Sequence, residues 1–358
     1  MEIHQFVPAL LYGDAIGNQT QLLRRMLQES GYNSEIYAEF IDPKCAGQAQ
    51  DYRRYTGHPE NVVIYHHAIG SKVADYVRTL PDKLVLYYHN ITRPESFLGF
   101  NRPMRQMLAW GRRQLRDHAN ASYALAGSEY NREEMLSIGY TEVDLLTYGV
   151  EMSNVADTTD NLQAQQIMRS LRDGKVNWLF VGRIAPNKRQ DNVLRAFHYY
   201  HTHINANSRL IFVGSDTTAP AYGMAVRLLV ARLDIVQAVQ FAGYIGNNES
   251  MMAYYQCADV FVCFSEHEGF CVPLLESMHF DVPIVALDRA AISYTLGNSG
   301  VVLSDYRFDV LAEIVECLQH NKDFQQKIIS EQRRQLSVFA LDRVRAQLQK
   351  SIQRMLSI

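Results

Sequence analysis

Short runs of β-branched and aromatic residues, bounded by turn residues, recur through the first half of the chain. Such runs have the length and composition of buried β-strands. They lie at residues 3–6, 35–38, 62–66, 84–88, 123–126 and 143–147. Between several of them the apolar spacing is that of helices, as at residues 20–30 and 132–138. Strand and helix therefore alternate, which predicts a parallel sheet covered by helices on both faces.

The same alternation begins again in the second half of the chain. Predicted strands lie at residues 177–181, 210–213, 239–242, 260–264, 283–287 and 301–303. Residues 151–160 are rich in Ser, Asn, Thr and Asp and lack apolar periodicity, so they are the best candidate for a linker. The pattern therefore predicts two domains, at residues 1–155 and 165–340.

The last segment of the chain, residues 341–358, has the apolar spacing of one more helix. Four residues fall on a single stripe of it: Val344, Leu348, Ile352 and Leu356. We expect this helix to pack back on the first domain.

The predicted fold class is α/β, with two doubly wound, Rossmann-like domains facing across a cleft. A length of 358 residues suits two hydrophobic cores better than one. In such sheets ligands bind at the carboxyl ends of the strands. The loops that follow strands are therefore where chemistry is expected.

The net charge and the cysteine pattern indicate which kinds of partner and which cell compartment to expect. With 35 Lys and Arg against 38 Asp and Glu, the formal net charge of −3 argues against a nucleic-acid partner. We expect neither a secretion leader nor a membrane span, because the start lacks a charged and then apolar stretch and no apolar run is long enough. An odd number of cysteines without a C-x-x-C pair fits reduced thiols in a cytoplasm. Zinc ligation by Cys257, Cys263 and His267 is conceivable, but their spacing matches no usual pattern.

A glycine followed by cations marks the end of the first strand of the second half. The sequence runs from Gly182 and Arg183 to Lys188, and a helical pattern follows. Both side chains and the amides at the helix start favour negative charge in one place, so they could hold a diphosphate. The alternative is that these are solvated surface cations.

A second constellation follows the strand at residues 260–264. An acidic loop contains Glu268 and Gly269, and Glu276 lies about one turn into the helix that comes next. Free amides of Phe270, Cys271 and Val272 point into the same crevice. Carboxylates accept hydrogen bonds from sugar hydroxyls while amides bind phosphates, so the combination suits a nucleotide-sugar. The alternative is a helix start with acidic residues placed for its dipole.

Taken in order, these elements resemble the donor domain of GT-B retaining glycosyltransferases of family GT4. The resemblance covers residues 176–303 and joins five elements: Gly182-Arg183…Lys188, Gly243-Tyr244, residues 258–261, Glu268 with seven residues before Glu276, and residues 282–286. The Glu-x7-Glu element is the usual signature of the family. The order and spacing of all five make the resemblance specific.

The first half resembles the same family more loosely. Residues 13–18, with Gly13, Asp14, Gly17 and Asn18, resemble the Gly-rich acceptor-side loop of bacterial polysaccharide enzymes. His89, followed by Asn90, stands where many GT4 enzymes have a histidine against the donor sugar. For His66 and His67, which also end a strand, a structural role fits at least as well as a functional one.

The resemblance implies sugar transfer from a nucleoside diphosphate with retention at the anomeric carbon. Arg183 and Lys188 would stabilise the leaving diphosphate, so no metal and no other cofactor is needed; the chain has no Asp-x-Asp motif. Glu268 and His89 would contact the sugar, and Glu276 the ribose. The full donor set it implies is Gly182, Arg183, Lys188, Gly269, Phe270, Cys271, Val272, Glu276, Gly17, Gly243 and Tyr244; the acceptor set is Gly13, Asp14, Asn18 and Asn90.

Four positions depart from the family pattern. Arg189 stands where the family often has glycine, Cys271 where it commonly has the second glycine of Glu-Gly-Phe-Gly, and His279 and Asp281 where Ala and Gly are usual. A thiol where backbone approaches the ligand closely could change how the sugar is oriented.

Residues 101–118 have the pattern of a basic amphipathic helix. Methionine and leucine form its apolar stripe, and five arginines occupy the other faces: Arg102, Arg105, Arg112, Arg113 and Arg116. Such a helix can lie on an anionic membrane, which would suit a polyprenyl-diphosphate-linked acceptor at the inner face of the cytoplasmic membrane. The alternative is a surface helix whose apolar stripe is buried in the first domain.

The leading hypothesis is a metal-independent retaining glycosyltransferase of bacterial surface-polysaccharide assembly, acting on a glycan or lipid-linked acceptor. GDP-mannose is the preferred donor only through the bacterial likeness. Two alternatives stay open: a nucleotide-sugar epimerase of the same architecture, and a non-catalytic protein that binds sugar nucleotides. A dehydrogenase is disfavoured because no G-x-G-x-x-G follows a predicted strand.

Overall fold

The computed structural model describes residues 1–149 and 161–357. Strands and helices alternate along it, as the sequence pattern predicts. The linker expected at residues 151–160 lies outside the described residues.

Thirteen strands are present in the described part of the chain, and they include one strand for each predicted run. Their bounds are β1 Ile3–Leu10, β2 Ile36–Ile41, β3 Gln50–Asp51, β4 Val62–His67, β5 Lys83–Tyr88, β6 Tyr123–Ala126, β7 Asp144–Leu145, β8 Val176–Val181, β9 Ser208–Val213, β10 Val239–Gly243, β11 Val260–Cys263, β12 Ile284–Leu287 and β13 Val301–Leu303. The sequence analysis missed only β3 among these, because a strand of two residues leaves no hydrophobic pattern.

The helices of the described residues are also thirteen in number. Their bounds are α1 Ala15–Glu29, α2 Lys72–Val77, α3 Arg102–Asp117, α4 Glu129–Ser137, α5 Leu162–Leu171, α6 Gln190–His203, α7 Pro220–Arg232, α8 Asn248–Gln256, α9 Val272–His279, α10 Ile292–Leu296, α11 Phe308–His320, α12 Lys322–Leu336 and α13 Leu341–Ser357. None of them combines the length and apolar character that a bilayer-spanning segment needs.

The chain forms two compact units, and each has its own sheet. The first unit contains residues 1–95, 103–149 and the segment from Phe339 onward. The second contains residues 96–102 and, among the described residues, 161–338. Each unit is a parallel sheet with helices packed on it, so the predicted α/β class with two Rossmann-like units is confirmed.

The first unit has a seven-stranded parallel sheet of order β3-β2-β1-β4-β5-β6-β7. Every residue of β4 is buried, as expected for a parallel strand covered on both faces. The strand order reverses between β1 and β4. Loops after these two strands therefore open at the position where doubly wound sheets bind ligands.

The second unit has a six-stranded parallel sheet of order β10-β9-β8-β11-β12-β13. Its order reverses between β8 and β11, which pair directly through Trp178 with Val260 and Leu179 with Phe261. The loops that follow β8 and β11 carry most of the predicted donor residues. The strand order therefore places them side by side.

The last helix, α13, belongs to the core of the first unit. Val344, Leu348 and Ile352 are buried and share a cluster with residues of α1. Leu356, expected on the same stripe, is 45% exposed, and Met355 takes its place in the core. A rotation of about 100° per residue carries position 356 away from the buried face.

Candidate functional site

The two loops at the reversal point of the second sheet are joined by backbone contacts. The amide of Glu266 donates to the carbonyl of Asn187 (2.8 Å), and the Asn187 side chain donates to the carbonyl of His267 (3.2 Å). Asn187 is buried, so this contact fixes the separation of the loops. Nothing in the sequence pattern singled out Asn187, because its role depends on a loop 80 residues further along the chain.

Lys188 and Glu268 form a buried ion pair across these loops. The Lys188 ammonium donates to Oε1 of Glu268 at 2.5 Å, and the two side chains are only 16% and 9% exposed. Burial favours a lower pKa for Lys188, but the charge of Glu268 and the Cys271 side chain raise it, and the net pKa lies above its ordinary value. The lysine is therefore held charged. The structure thus brings together two of the predicted site residues.

Arg183 does not join this pair. Its side chain is exposed and makes no hydrogen bond or ion pair within the described part of the chain, while its backbone carbonyl accepts from Gln190 (2.9 Å). The expected pairing of Arg183 with Lys188 around one anion is thus not preformed. An exposed guanidinium remains available to an incoming ligand.

Glu276 lies on α9, one turn after the loop that carries Glu268. Its Oε2 accepts from the hydroxyl of Tyr255 (2.5 Å), and the ring of Tyr255 stacks on Phe280 with centroids 5.6 Å apart. Burial raises the pKa of Glu276, and the Tyr255 hydrogen bond opposes that rise. Tyr255 orients one oxygen of Glu276, a role that the sequence does not reveal because the two residues are 21 positions apart.

The positions that depart from the family's glycines adopt left-handed backbone. Arg189, Cys271 and Asp281 have φ of 53°, 74° and 57°. Glycine takes such a φ without steric cost, whereas other residues rarely do. These three residues therefore adopt a backbone conformation that glycine takes more easily.

The loop from Glu268 to Cys271 is held by residues that follow β12. The amide of Ala291 donates to the carbonyl of Glu268 (3.2 Å), and the Thr295 hydroxyl donates to that of Phe270 (2.5 Å). The loop therefore ends at a fixed place, where Cys271 and Val272 begin α9. Amides at a helix start have no carbonyl partner within the helix, so they can bind a phosphate, as expected for Val272 and its neighbours.

Two thiols lie beside the ion pair. The sulfurs of Cys263 and Cys271 are 3.9 Å apart, and a Glu268 oxygen lies within 4.8 Å of both. Within residues 1–149 and 161–357 this is the group of three side chains that could hold a metal. The combination of Cys257, Cys263 and His267 is therefore corrected: Cys257 precedes β11 whereas Cys263 ends it, and the group contains Glu268 and Cys271 in place of Cys257 and His267.

Glycines end three neighbouring strands of the second sheet. Gly182 follows β8, Gly214 follows β9, and Gly243 is the last residue of β10; β9 lies between the other two strands. The Gly214 amide donates to the carbonyl of Gly243 (2.8 Å), and a side chain at Gly214 would collide with the carbonyl of Gly182. Tyr244 follows with 55% of its surface exposed. The predicted donor residues Gly182 and Gly243 thus lie along one edge of the sheet.

In the first unit, His89 follows β5 and is fixed by a directed chain of hydrogen bonds. Gln5 donates through Nε2 to the carbonyl of Thr20, so its Oε1 accepts from Nε2 of His66 (3.0 Å). His66 then accepts at Nδ1 from His89 Nε2 (2.8 Å), and His89 accepts at Nδ1 from the Tyr148 hydroxyl (2.6 Å). Both ring nitrogens of His89 are occupied by protein partners.

Burial keeps these histidines neutral. It lowers the pKa of His66 to about 3 and that of His89 well below its ordinary value. His67 is also buried, between the carbonyl of Gly111 (2.9 Å) and the hydroxyl of Tyr65 (3.2 Å). His66 and His67 thus make the hydrogen bonds within the protein that a structural role predicts.

The predicted acceptor residues lie after β1 and β5. Asp14 caps α1, accepting at Oδ2 from the amides of Ile16 (3.1 Å) and Gly17 (3.4 Å). A side chain at Gly17 would lie 2.7 Å from the carbonyl of Leu11, so this glycine is required by the loop itself. Gly13 has a φ of 71° in that loop, and Asn18 is exposed on the first turn of α1.

Asn90 differs from the other acceptor candidates because one of its polar atoms is left over. Its Nδ2 donates to Asn131 (2.7 Å) and to Glu134 (3.3 Å). Its Oδ1 is buried and has no hydrogen-bond partner in the part of the chain that the structure describes. A buried acceptor without a donor is costly, so this oxygen is poised to accept from a ligand.

We predict that Glu276→Gln stabilises the second unit at neutral pH. Because burial raises the pKa of Glu276 above 4.5, the neutral carboxyl favours the folded chain. The stabilisation from the neutral carboxyl is complete below the unfolded-state pKa of Glu276. It is lost as pH rises through the folded-state pKa, by about 1.4 kcal/mol for each pH unit that separates the two pKa values. Urea unfolding at pH 4 and pH 7 should show the variant gaining on the native protein with pH. Glu313→Gln, at an exposed carboxylate of α11, is the control; equal gains would contradict the prediction.

Part of this chain matches a family model and two curated proteins. Residues 165–335 match the family model "Glycosyl transferases group 1". Two curated relatives are similar: the GDP-mannose-dependent alpha-mannosyltransferase of Mycobacterium tuberculosis, 26% identical over 57% of this chain and 48% of its own, and the O-antigen chain mannosyltransferase B of Escherichia coli, 23% identical over 56% and 52%. The chain spans about half the length of these relatives.

Solved structures resemble the whole chain. The sucrose-phosphate synthase of Thermosynechococcus elongatus has a TM-score of 0.75 at 14% identity, covering 100% of both chains. A glycosyltransferase of Rickettsia africae has 0.75 at 13%, covering 99% and 98%, and Anabaena HepE, solved with UDP and glucose, has 0.74 at 14%, covering 99% and 100%. At these identities the likeness shows the fold. The chain therefore has the GT-B fold, and its residues 165–335 match the model of the group 1 glycosyl transferases.

Proposed function

We propose that this protein is a retaining glycosyltransferase of the GT4 type, which moves a hexose from a nucleoside-diphosphate sugar to a glycan or lipid-linked acceptor. The observation that carries the proposal is the buried Lys188–Glu268 ion pair, at the carboxyl ends of β8 and β11 and inside the segment that matches the family. A buried pair of opposite charges at a ligand-binding edge offers both groups that a sugar diphosphate needs.

Lys188 and Glu268 can serve the two parts of the donor. In the free protein each neutralises the other. A bound diphosphate would take over the ammonium, which leaves the Glu268 carboxylate free to accept hydrogen bonds from sugar hydroxyls. As the bond from sugar to phosphate breaks, negative charge grows on the leaving phosphate, and a preorganised cation stabilises that charge more than it stabilises the ground state.

The remaining donor groups surround this pair. The exposed guanidinium of Arg183 can close on the diphosphate, and the amides of Cys271 and Val272 favour its negative charge through the start of α9. Glu276, oriented by Tyr255, offers its other oxygen to ribose hydroxyls. With these groups the transfer needs no metal.

GDP-mannose is the donor we propose. Both curated relatives are named as mannosyltransferases, and one is named as GDP-mannose-dependent. The E. coli relative is named for the O-antigen chain, which supports a role in bacterial surface polysaccharide. We accordingly place the reaction in the cytoplasm, where nucleotide-sugars are available.

The acceptor residues that we propose lie in the first unit. The unsatisfied Oδ1 of Asn90 is suited to an acceptor hydroxyl, because it is buried and its Nδ2 is already committed. Asn18 is exposed beside the capped start of α1. His89 has no free ring nitrogen in this arrangement, so its contact with a sugar would use the carbon edge of the ring or displace Tyr148.

Helix α3 is the proposed contact with a membrane surface. Its apolar stripe is largely buried, since Leu108 and Leu115 face the interior. Arg112 is unavailable, because it donates to the carbonyl of Ile91 (2.8 Å) and pairs with Glu134 (2.5 Å). The expectation of five outward arginines is therefore corrected to four, and Met107 is 41% exposed among them. Contact with lipid would be mainly electrostatic, through anionic headgroups.

Replacing the ion-pair residues should abolish most of the transfer. We expect Lys188→Met and Glu268→Gln each to lower kcat/KM for GDP-mannose by roughly 100- to 1000-fold, the range seen when one preorganised group is removed. The readout is mannose incorporation into a lipid-linked acceptor, measured by mass spectrometry. Lys327→Met, at an exposed lysine of α12, is the matched control. Unchanged turnover in Lys188→Met would contradict the mechanism.

The same assay without acceptor separates the alternatives. An epimerase would convert the donor to an isomeric sugar nucleotide, visible by NMR. A protein that only binds sugar nucleotides would consume none in either assay.

Nucleotide binding should reveal the base. We expect GDP to raise the thermal midpoint of unfolding more than UDP, ADP or dTDP, because a ligand at 100 times its Kd adds about 2.7 kcal/mol to the native state. Calorimetric melting with each nucleotide measures this. A shift with UDP and none with GDP would exclude GDP-mannose as donor.

Loss of the four outward arginines should release the protein from anionic vesicles. Each cation near such a surface contributes roughly 1 kcal/mol, so replacing all four by Gln should lower binding by at least 100-fold. Co-sedimentation with phosphatidylglycerol vesicles measures the change. An equal loss of charge at four other exposed positions of the first unit is the control: Arg54, Arg78, Arg343 and Lys350. Equal binding by native protein and the α3 variant would end the membrane hypothesis.

A further inference from the structure

Two buried thiols and a carboxylate converge at the end of β11. Cys263 is the last residue of that strand, and Cys271 stands at the start of α9. Their sulfurs are 3.9 Å apart, and a Glu268 oxygen lies within 4.8 Å of both. The three residues span only the turn from strand to helix. The backbone contacts that hold Glu268 therefore also fix the distances among these three residues.

The spacing of this group fits a tetrahedral metal. Two thiolates bound to one zinc ion at about 2.3 Å lie about 3.8 Å apart. The sulfurs are already at 3.9 Å, so metal binding requires little movement of the backbone. Sulfur ligands with one carboxylate oxygen are a donor set that zinc accepts, and three protein ligands leave a fourth position for water.

Charge also allows a divalent cation here. Binding would release one proton from each thiol, and the two sulfurs with Glu268 would then carry three negative charges. A zinc ion and the Lys188 ammonium balance them. Lys188 contacts Oε1 of Glu268, which leaves Oε2 for the metal. The Lys188 and Glu268 side chains are still 16% and 9% exposed, so the group is connected to solvent.

Cys271 gives an independent indication that its thiol has a use. The residue has a φ of 74°, where a side chain carries a conformational cost that glycine avoids. Its sulfur is turned toward Cys263 and not into a helix-capping hydrogen bond.

We propose that Cys263, Cys271 and Glu268 bind a zinc ion, and that the bound metal inhibits the protein by taking Glu268 away from the donor sugar. The first half of this proposal stands on the geometry of the three residues. The second half rests on the proposed function of Glu268.

Cobalt(II) substitutes for zinc and gives an absorption band when thiolates bind it, so it is the probe. Titration of the reduced, metal-free protein with Co²⁺ should produce thiolate-to-cobalt charge-transfer absorption at one equivalent, and one equivalent of Zn²⁺ should remove it. Cys271→Gly should lose the band while remaining folded, because glycine suits the φ of this position. Cys263→Ala should lose it as well.

Cys317→Ala is the matched control, since Cys317 is the exposed thiol of the second unit and the obvious place for adventitious binding. This variant should keep the band. A band that survives Cys271→Gly, or one that vanishes with Cys317→Ala, would overturn the site. Formation of a Cys263–Cys271 disulfide by peroxide in place of any cobalt band would overturn it too, because the pair would then be a redox element.

Inhibition is tested separately. Micromolar Zn²⁺ should lower mannose transfer at least tenfold in the native protein and have little effect on Cys263→Ala. If neither protein transfers sugar but the cobalt band forms, the proposed function fails and the metal site stands. If transfer occurs and no band forms, the metal site fails alone.

Discussion

The contact between Lys188 and Glu268 is the constraint on which the site in the second unit depends. Removing two charges from water is expensive, and their attraction repays that cost only when the geometry is fixed. Here the geometry is fixed by the backbone, because Asn187 joins the two loops and Ala291 and Thr295 hold the second one. Loss of one partner would leave a buried charge, at a cost of about 3 to 5 kcal/mol. A ligand that replaces one partner avoids this cost. The pair is therefore stable without a ligand and can still be opened by an anionic one.

The two units differ in their electrostatics at the point where the strand order of each sheet reverses: one has charged groups there and the other has neutral ones. In the second unit, the reversal between β8 and β11 carries a charged pair. In the first unit, Gln5 and His66 lie on β1 and β4 at the reversal, and His89, which follows β5, extends their neutral chain of hydrogen bonds. Burial keeps the pKa of both histidines low, so this chain holds one tautomer. Charge is thus concentrated where a diphosphate would bind, and neutral hydrogen bonds support the loops of the first unit.

Three positions where the family resemblance leads us to expect glycine hold other residues with a left-handed backbone. Arg189, Cys271 and Asp281 keep the left-handed φ that glycine would adopt freely. Two of them form ion pairs: Arg189 with Asp191 (2.9 Å) and Asp281 with Arg333. The thiol of Cys271 instead lies beside the sulfur of Cys263 and an oxygen of Glu268, so folding explains this side chain least among the three.

Local pattern determined much of this protein. Alternating strand and helix signals located twelve of the thirteen described strands, and the spacing of Glu268 and Glu276 placed both carboxylates around one helix start. These features were predictable because hydrophobic periodicity and helix geometry depend on neighbours in sequence. Tertiary structure alone decided that β8 lies beside β11, so that Lys188 meets a carboxylate 80 residues away. It also decided that Arg112 is consumed by Glu134 and that Cys263 meets Cys271, because a side chain's partner depends on which surfaces pack together and not on the residues next to it.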